Sequence, residues 1–107
     1  MEFLVRIDIH WPPEAPSEDR ERIWEEEFRQ GQLLAEQGLL RRLWRVPGRS
    51  ANWSLYEAQD ATQLHEALCS LPLYPWMDIE VHPLAVHLND PVARGVPQGA
   101  ESAQGVR

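Results

Sequence analysis

Apolar and polar residues alternate from the start of the chain. Phe3, Val5, Ile7 and Ile9 fall on one side and Leu4, Arg6, Asp8 and His10 on the other, the period-two signature of a β-strand. Trp11-Pro12-Pro13 ends that strand, and the stretch to Pro16 is a stiff connector. The period then changes to that of a helix. Ser17 is the expected N-cap, with Glu18 and Asp19 placed to favour the helix dipole, and the helix is expected to run to Gly38. Leu39 to Val46 reads as a second strand, Pro47-Gly48 as part of a turn, and Ala51 to Tyr56 as a third strand. Its two faces carry Ala51, Trp53 and Leu55 on one side and Asn52, Ser54 and Tyr56 on the other.

Asp60 is the expected cap of a second helix, with Gln63 spaced for a capping box. Leu64, Ala67, Leu68 and Leu71 form its buried stripe, and His65 lies on the flank. Leu71-Pro72-Leu73-Tyr74-Pro75 cannot continue a helix and predicts a rigid loop. A last strand covers Asp78 to Val81, with an extension to Val86. From about Asn89 periodicity stops, and residues 89–107 are expected to form a disordered tail unless a neighbouring subunit holds them. The order is β-α-β-β-α-β, the split βαβ of ferredoxin-like α+β domains, spanning residues 1–88. It predicts a four-stranded antiparallel sheet with two helices on one face. The other face, carrying Leu4 and one of Trp44 or Trp53, would be bare in a monomer.

One residue breaks the pattern of the first helix. At ~3.6 residues per turn, Ile23, Trp24, Phe28, Gly31, Leu34, Ala35 and Gly38 share an apolar stripe. Glu27 lies near the middle of it. A bare carboxylate is too costly to bury, so Glu27 must be hydrogen-bonded, paired with a cation, or reached through a cleft. It is therefore either a general base in a pocket or a carboxylate that reaches the rim or pairs with an arginine. Gly31 follows one turn later, where it can leave room for a large neighbour.

Composition narrows the classes. A chain of 107 residues with 43% hydrophobic and 25% charged content fits a single globular domain. A net charge of −7, without basic runs, argues against nucleic acid as a partner. No segment has the length of a membrane span or the form of a signal peptide, so a cytoplasmic protein without membrane contact is expected. Cys69 is the only cysteine, which excludes an intrachain disulfide. Five tryptophans favour an oligomer that buries some of them.

No metal motif, phosphate loop, nucleophile elbow or dinucleotide fingerprint occurs, and His10, His65, His82 and His87 follow no ligand spacing. Asn52 and Ser54 gain interest only if Glu27 faces the same sheet. Arg6, Arg41, Arg42 and Arg45 are each able to hold an anion or to sit in solvent.

Gly38, Arg41, Leu43-Trp44-Arg45, Gly48, Ala51-Asn52 with Ser54, Leu64-His65 and Leu68 together resemble the muconolactone delta-isomerase family. So, above all, does the run from Leu71 through Pro72, Tyr74, Pro75 and Trp76 to Met77-Asp78-Ile79-Glu80-Val81. The resemblance spans residues 2–88, with Leu39-Leu40 and Arg49-Ser50 departing from the family pattern. It implies a ferredoxin-like fold, dimers paired through their sheets and larger rings, typically decamers. It also implies a cofactor-free and metal-free 1,3 proton shift in a small lactone of aromatic catabolism, with Glu27 as the proton-carrying carboxylate. Asn52, Ser54 or a protonated His65 would then stabilise the dienolate. Arg6 or an arginine of the second strand would hold the substrate carboxylate. Two other functions share this outline: dehalogenation of a chloromuconolactone, and a non-catalytic dimeric binding protein.

Overall fold

The computed structural model describes residues 1–92 and Gly95. The elements are β1 (Glu2–Ile9), α1 (Ser17–Glu36), β2 (Leu40–Arg45), β3 (Ala51–Glu57), α2 (Ala61–Cys69) and β4 (Met77–Leu84), with a 3-10 turn over Tyr74–Trp76. The strands form one antiparallel sheet in the order β2-β3-β1-β4, so the expected ferredoxin-like α+β arrangement is the one found. Most of the expected tail lies outside the described residues. No helix among the described residues is long and apolar enough to cross a membrane.

Local chemistry sets the ends of the helices. Helix α1 begins one residue earlier than its sequence suggests. Pro16 is the N-cap, in extended conformation, and its carbonyl accepts from the Arg20 N–H at 3.1 Å. Ser17 is the first helical residue and makes no capping bond, because proline already presets the entry geometry. At the other end the chain leaves through Gly38, whose φ of 80° suits glycine alone at little cost. The Leu39 N–H donates to the Leu34 carbonyl (2.9 Å) and the Gly38 N–H to the Ala35 carbonyl (3.0 Å), which together make a Schellman motif. Asp60 caps α2 as expected, its Oδ1 accepting from the Gln63 N–H at 2.8 Å. Gln63 reaches back to the Gln59 N–H (2.7 Å), one residue before the cap itself.

Strand register decides which side chains meet. Residues directly opposite one another project to the same side of a sheet. Phe3, Val5 and Ile7 of β1 pair with Tyr56, Ser54 and Asn52 of β3, and this face packs under the helices. Phe3, Val5 and Ile7 join Leu34, Tyr56, Leu64, Ala67, Leu68 and Leu71 in the core. The opposite face carries Leu4 with Leu55, and Arg6 with Trp53. No element of the described chain covers it. Trp44 is paired with Trp53, so both tryptophans lie on this open face rather than one of them.

Strand β2 contains an irregularity. Leu40 pairs with Tyr56, but Arg42 pairs with Leu55, and the register shifts between them. Such a shift reverses the alternation downstream. Leu43 and Arg45 consequently share the helix side with Ser54 and Asn52, and Arg42 and Trp44 go to the open side. Arg42 stacks over the Trp44 ring there, 4.8 Å from its centroid.

Candidate active site

Only Leu34 of α1 is fully buried, although its apolar stripe continues towards Ile23. The first half of that stripe stands off from the sheet and leaves a cleft of about 580 Å³. Trp24, Phe28, Gly31 and Ala35 line it from the helix, Leu43 and Arg45 from β2, and Asn52, Ser54 and Tyr56 from β3. Trp24 and Phe28 remain 45% and 67% exposed because they form walls of this cleft rather than core. Trp11 braces Trp24 edge-on at 6.4 Å and stacks on Trp76 at 5.3 Å, tying this wall to the ends of β1 and β4.

Glu27 sits in the cleft wall, half-buried. Its Oε1 accepts a hydrogen bond from the Leu73 N–H at 2.9 Å. Among the described residues no cation lies within ion-pair distance of it. Of the alternatives its position allowed, Glu27 thus takes a backbone donor and an opening to the cleft, not an arginine partner. Burial lifts its pKa above the ordinary 4.5, and the Leu73 N–H opposes that rise. The proline-rich segment after α2 therefore has a role in the site: it aims one amide at the carboxylate. Gly31, one turn on, lines the same cleft, and a Cβ built there would meet nothing within 4 Å. Its missing side chain leaves space for a ligand rather than for packing.

The other expected site residues divide. Asn52 and Ser54 line the cleft opposite Glu27. The Asn52 Oδ1 is buried without a partner, an unusual and costly state for an amide. The Ser54 hydroxyl is buried and already donates to the Val5 carbonyl at 3.3 Å. Arg6 is not brought to the cleft. It projects from the opposite face of the sheet and forms a two-pronged ion pair with Asp8, at 3.0 and 3.1 Å. Period-two alternation sends it there, since Val5 and Ile7 on either side face the helices. His65 is not brought to the cleft either: it is exposed on α2, with its Nε2 3.4 Å from the Cys69 sulfur.

Two groups of the site were not singled out from the sequence. Tyr56 lines the cleft, and burial, with a smaller contribution from the charge of Glu27, pushes its hydroxyl up to about 12. It therefore stays a neutral donor. Its place two residues after Ser54 on the same strand face was the available signal. The Leu73 N–H carries no side-chain signal at all. Of the three second-strand arginines that the sequence offered for an anion, only Arg45 lines the cleft, because of the register shift in β2.

The family model described as muconolactone delta-isomerase matches residues 1–90. A muconolactone delta-isomerase of Pseudomonas aeruginosa is 37% identical over 95 residues, covering 84% of this chain and 99% of that protein. One from Acinetobacter baylyi is 38% identical with the same coverage. Among solved structures, the crystal structure of a muconolactone isomerase superposes with a TM-score of 0.79 at 33% identity, covering 84% of this chain and 94% of that one. A 5-chloro-2-hydroxyhydroquinone dehydrochlorinase superposes at 0.62 with 12% identity, a likeness of fold alone. The chain belongs to the muconolactone delta-isomerase family.

Proposed function

We propose that this protein isomerises muconolactone to 3-oxoadipate enol-lactone in the breakdown of aromatic compounds, with Glu27 as the proton carrier. The observation that carries the reading is a half-buried carboxylate with no ion-pair partner among the described residues, anchored through one oxygen in a largely apolar cleft. Muconolactone is a five-membered unsaturated lactone with an acetate side chain. Removal of the proton from the ring carbon bearing that side chain leaves a dienolate, its charge spread onto the lactone carbonyl oxygen. Return of a proton from the Glu27 carboxyl group to the carbon next to the carbonyl completes the shift of the double bond, with no net change in atoms or charge.

A carboxylate above one ring face serves both steps. Oε1 is held by the Leu73 N–H, so Oε2 takes and returns the proton. The raised pKa brings the carboxylate closer to the carbon acid in basicity, which favours transfer in each direction. Asn52 is the donor best placed for the dienolate oxygen. Its amide is unpartnered, the Ser54 proton is already engaged, and His65 lies elsewhere. With Oδ1 enclosed, the NH2 group is the end of the amide left to meet a ligand. The neutral Tyr56 hydroxyl is the second donor in the cleft.

Self-association through the open sheet face belongs to the same reading. Leu4, Leu55, Trp44 and Trp53 lie there with no covering element, and an apolar sheet face of this kind is stable when paired.

The test is incubation of the purified protein with muconolactone in deuterated water, followed by proton NMR. The expected result is formation of the enol-lactone, with deuterium appearing at the carbon next to the carbonyl as Glu27 exchanges with solvent. Persistence of the starting lactone in the presence of folded, assembled protein overturns the reading.

A further inference from the structure

The cleft lining contains two charged side chains, Glu27 on α1 and Arg45 on β2. They are not an ion pair with each other, and the Arg45 side chain forms no salt bridge or hydrogen bond among the described residues. Arg41 and Arg49 also form no side-chain hydrogen bond or salt bridge among the described residues, but they do not line the cleft, and the other described arginines are engaged. Arg6 holds Asp8, Arg20 donates to the Pro12 carbonyl, Arg22 and Arg29 pair with acidic residues of their own helix, and Arg42 lies over Trp44. An unpaired guanidinium at an apolar cleft, in a chain of net charge −7, marks a place for an anion supplied from outside.

We propose that Arg45 is the specificity-determining residue of the cleft, binding the free carboxylate of a lactone acid and so fixing which ring carbon faces Glu27. This rests on the isomerase reading and adds to it the selection of a charged over a neutral lactone. The juxtaposition is specific. Arg45 stands directly across from Asn52 on the helix side of the sheet, and Glu27 belongs to the helix above. Cross-strand neighbours have Cβ atoms about 5 Å apart. A small ring can therefore lie with its carbonyl at Asn52 and its acidic side chain at Arg45, while the carbon between them is offered to Glu27. Were the cation next to Glu27, it would instead hold the carboxylate ionised and lower its basicity. Separation of the two charges lets one group orient the substrate and the other move its proton. The register shift between Leu40 and Arg42 turns Arg45, rather than Arg42, to this side, and Trp44 between Leu43 and Arg45 borders the same cleft from the strand edge.

The test compares muconolactone with its methyl ester, which keeps the reacting ring and removes the charge. The enzyme is compared with Arg45→Lys and Arg45→Met. The parent is expected to favour the acid over the ester in kcat/KM by roughly 10- to 100-fold, the range of a charged hydrogen-bonded contact. Arg45→Met should collapse that ratio towards one, chiefly through the KM for the acid, and Arg45→Lys should restore part of it. An unchanged ratio in Arg45→Met overturns the proposal. Binding is read separately by tryptophan fluorescence with the saturated lactone acid and its methyl ester, neither of which can isomerise. If the parent binds the acid more tightly and Arg45→Met does not, the anchor stands even when turnover fails. If both proteins bind acid and ester equally, the anchor falls whatever the fate of the isomerase reading.

Discussion

Glu27 concentrates the chemistry and also a stability cost, and the two separate by pH. Glu27→Gln keeps the size of the side chain and an oxygen able to accept from the Leu73 N–H, but it cannot carry a proton between two carbons. Turnover should fall by ~10²–10⁴-fold, the range for loss of a general base, with little change in KM. A stopped or steady-state assay with muconolactone checks this, and near-parental kcat would assign the proton transfer to another group. The parent's own kcat should rise with pH through an apparent pKa above the ordinary 4.5, because burial is the largest influence on Glu27. Stability runs the other way. A folded pKa raised above the unfolded one means the folded state holds its proton longer, so the favourable contribution of the protonated form is complete below about 4.5 and is lost as pH rises through the folded value. Glu27→Gln should therefore melt above the parent at neutral pH, and the gap should close in acid. Thermal melts across pH 4 to 8 read it directly, and a lower melting temperature for the variant at neutral pH would mean that the charge is stabilising.

Helix α1 is the element whose design is least like an ordinary amphipathic helix. Its C-terminal half packs through Leu34 and ends in the Schellman motif at Gly38, whereas its N-terminal half presents Trp24, Glu27, Phe28 and Gly31 to the cleft. Gly31 weakens the helix and keeps the cleft open. Gly31→Ala should stabilise the protein by about 0.5–1 kcal/mol, since the added methyl meets open space and the unfolded chain loses freedom. Gly31→Leu should also fold, but it should raise KM or abolish turnover by filling the space beside Glu27. Denaturant melts and kinetics on the two variants decide it; a destabilised Gly31→Ala would show that the space is needed by the fold rather than by a ligand.

At the scale of the whole molecule the sheet divides the protein into a covered side with the cleft and an open side with Leu4, Leu55, Trp44 and Trp53. The Arg6–Asp8 pair and the contact of Trp53 with His82, 6.0 Å between ring centroids, also lie on the open side. Light scattering at micromolar concentration is expected to give a multiple of the 12.4 kDa chain. Leu55→Glu, which sets a charge in the middle of that face, should lower the mass while leaving the helix side intact. A parent that sediments as a monomer, or a Leu55→Glu variant of unchanged mass, would place the interface elsewhere or remove it.

Local rules were enough for the order of elements, the alternation of β1 and β3, the cap at Asp60, the stop at Gly38 and the odd position of Glu27. Each depends on near neighbours in the chain: side-chain period, a proline, a glycine, an oxygen three residues from an N–H. Those same rules placed Asn52 and Ser54 on one strand face, and the tertiary structure brought that face to Glu27. What only the tertiary structure decided was which distant groups complete the site. The Leu73 N–H is a backbone donor delivered from 46 residues away, and no residue type advertises it. The helix at Ser17 started one residue early because proline geometry replaced side-chain capping. Arg6 went to the open face, and Arg45 came to the cleft through a register shift in β2 that is settled by pairing with β3. Alternation within a strand is a local property, but its phase relative to the rest of the molecule is set by the neighbouring strand.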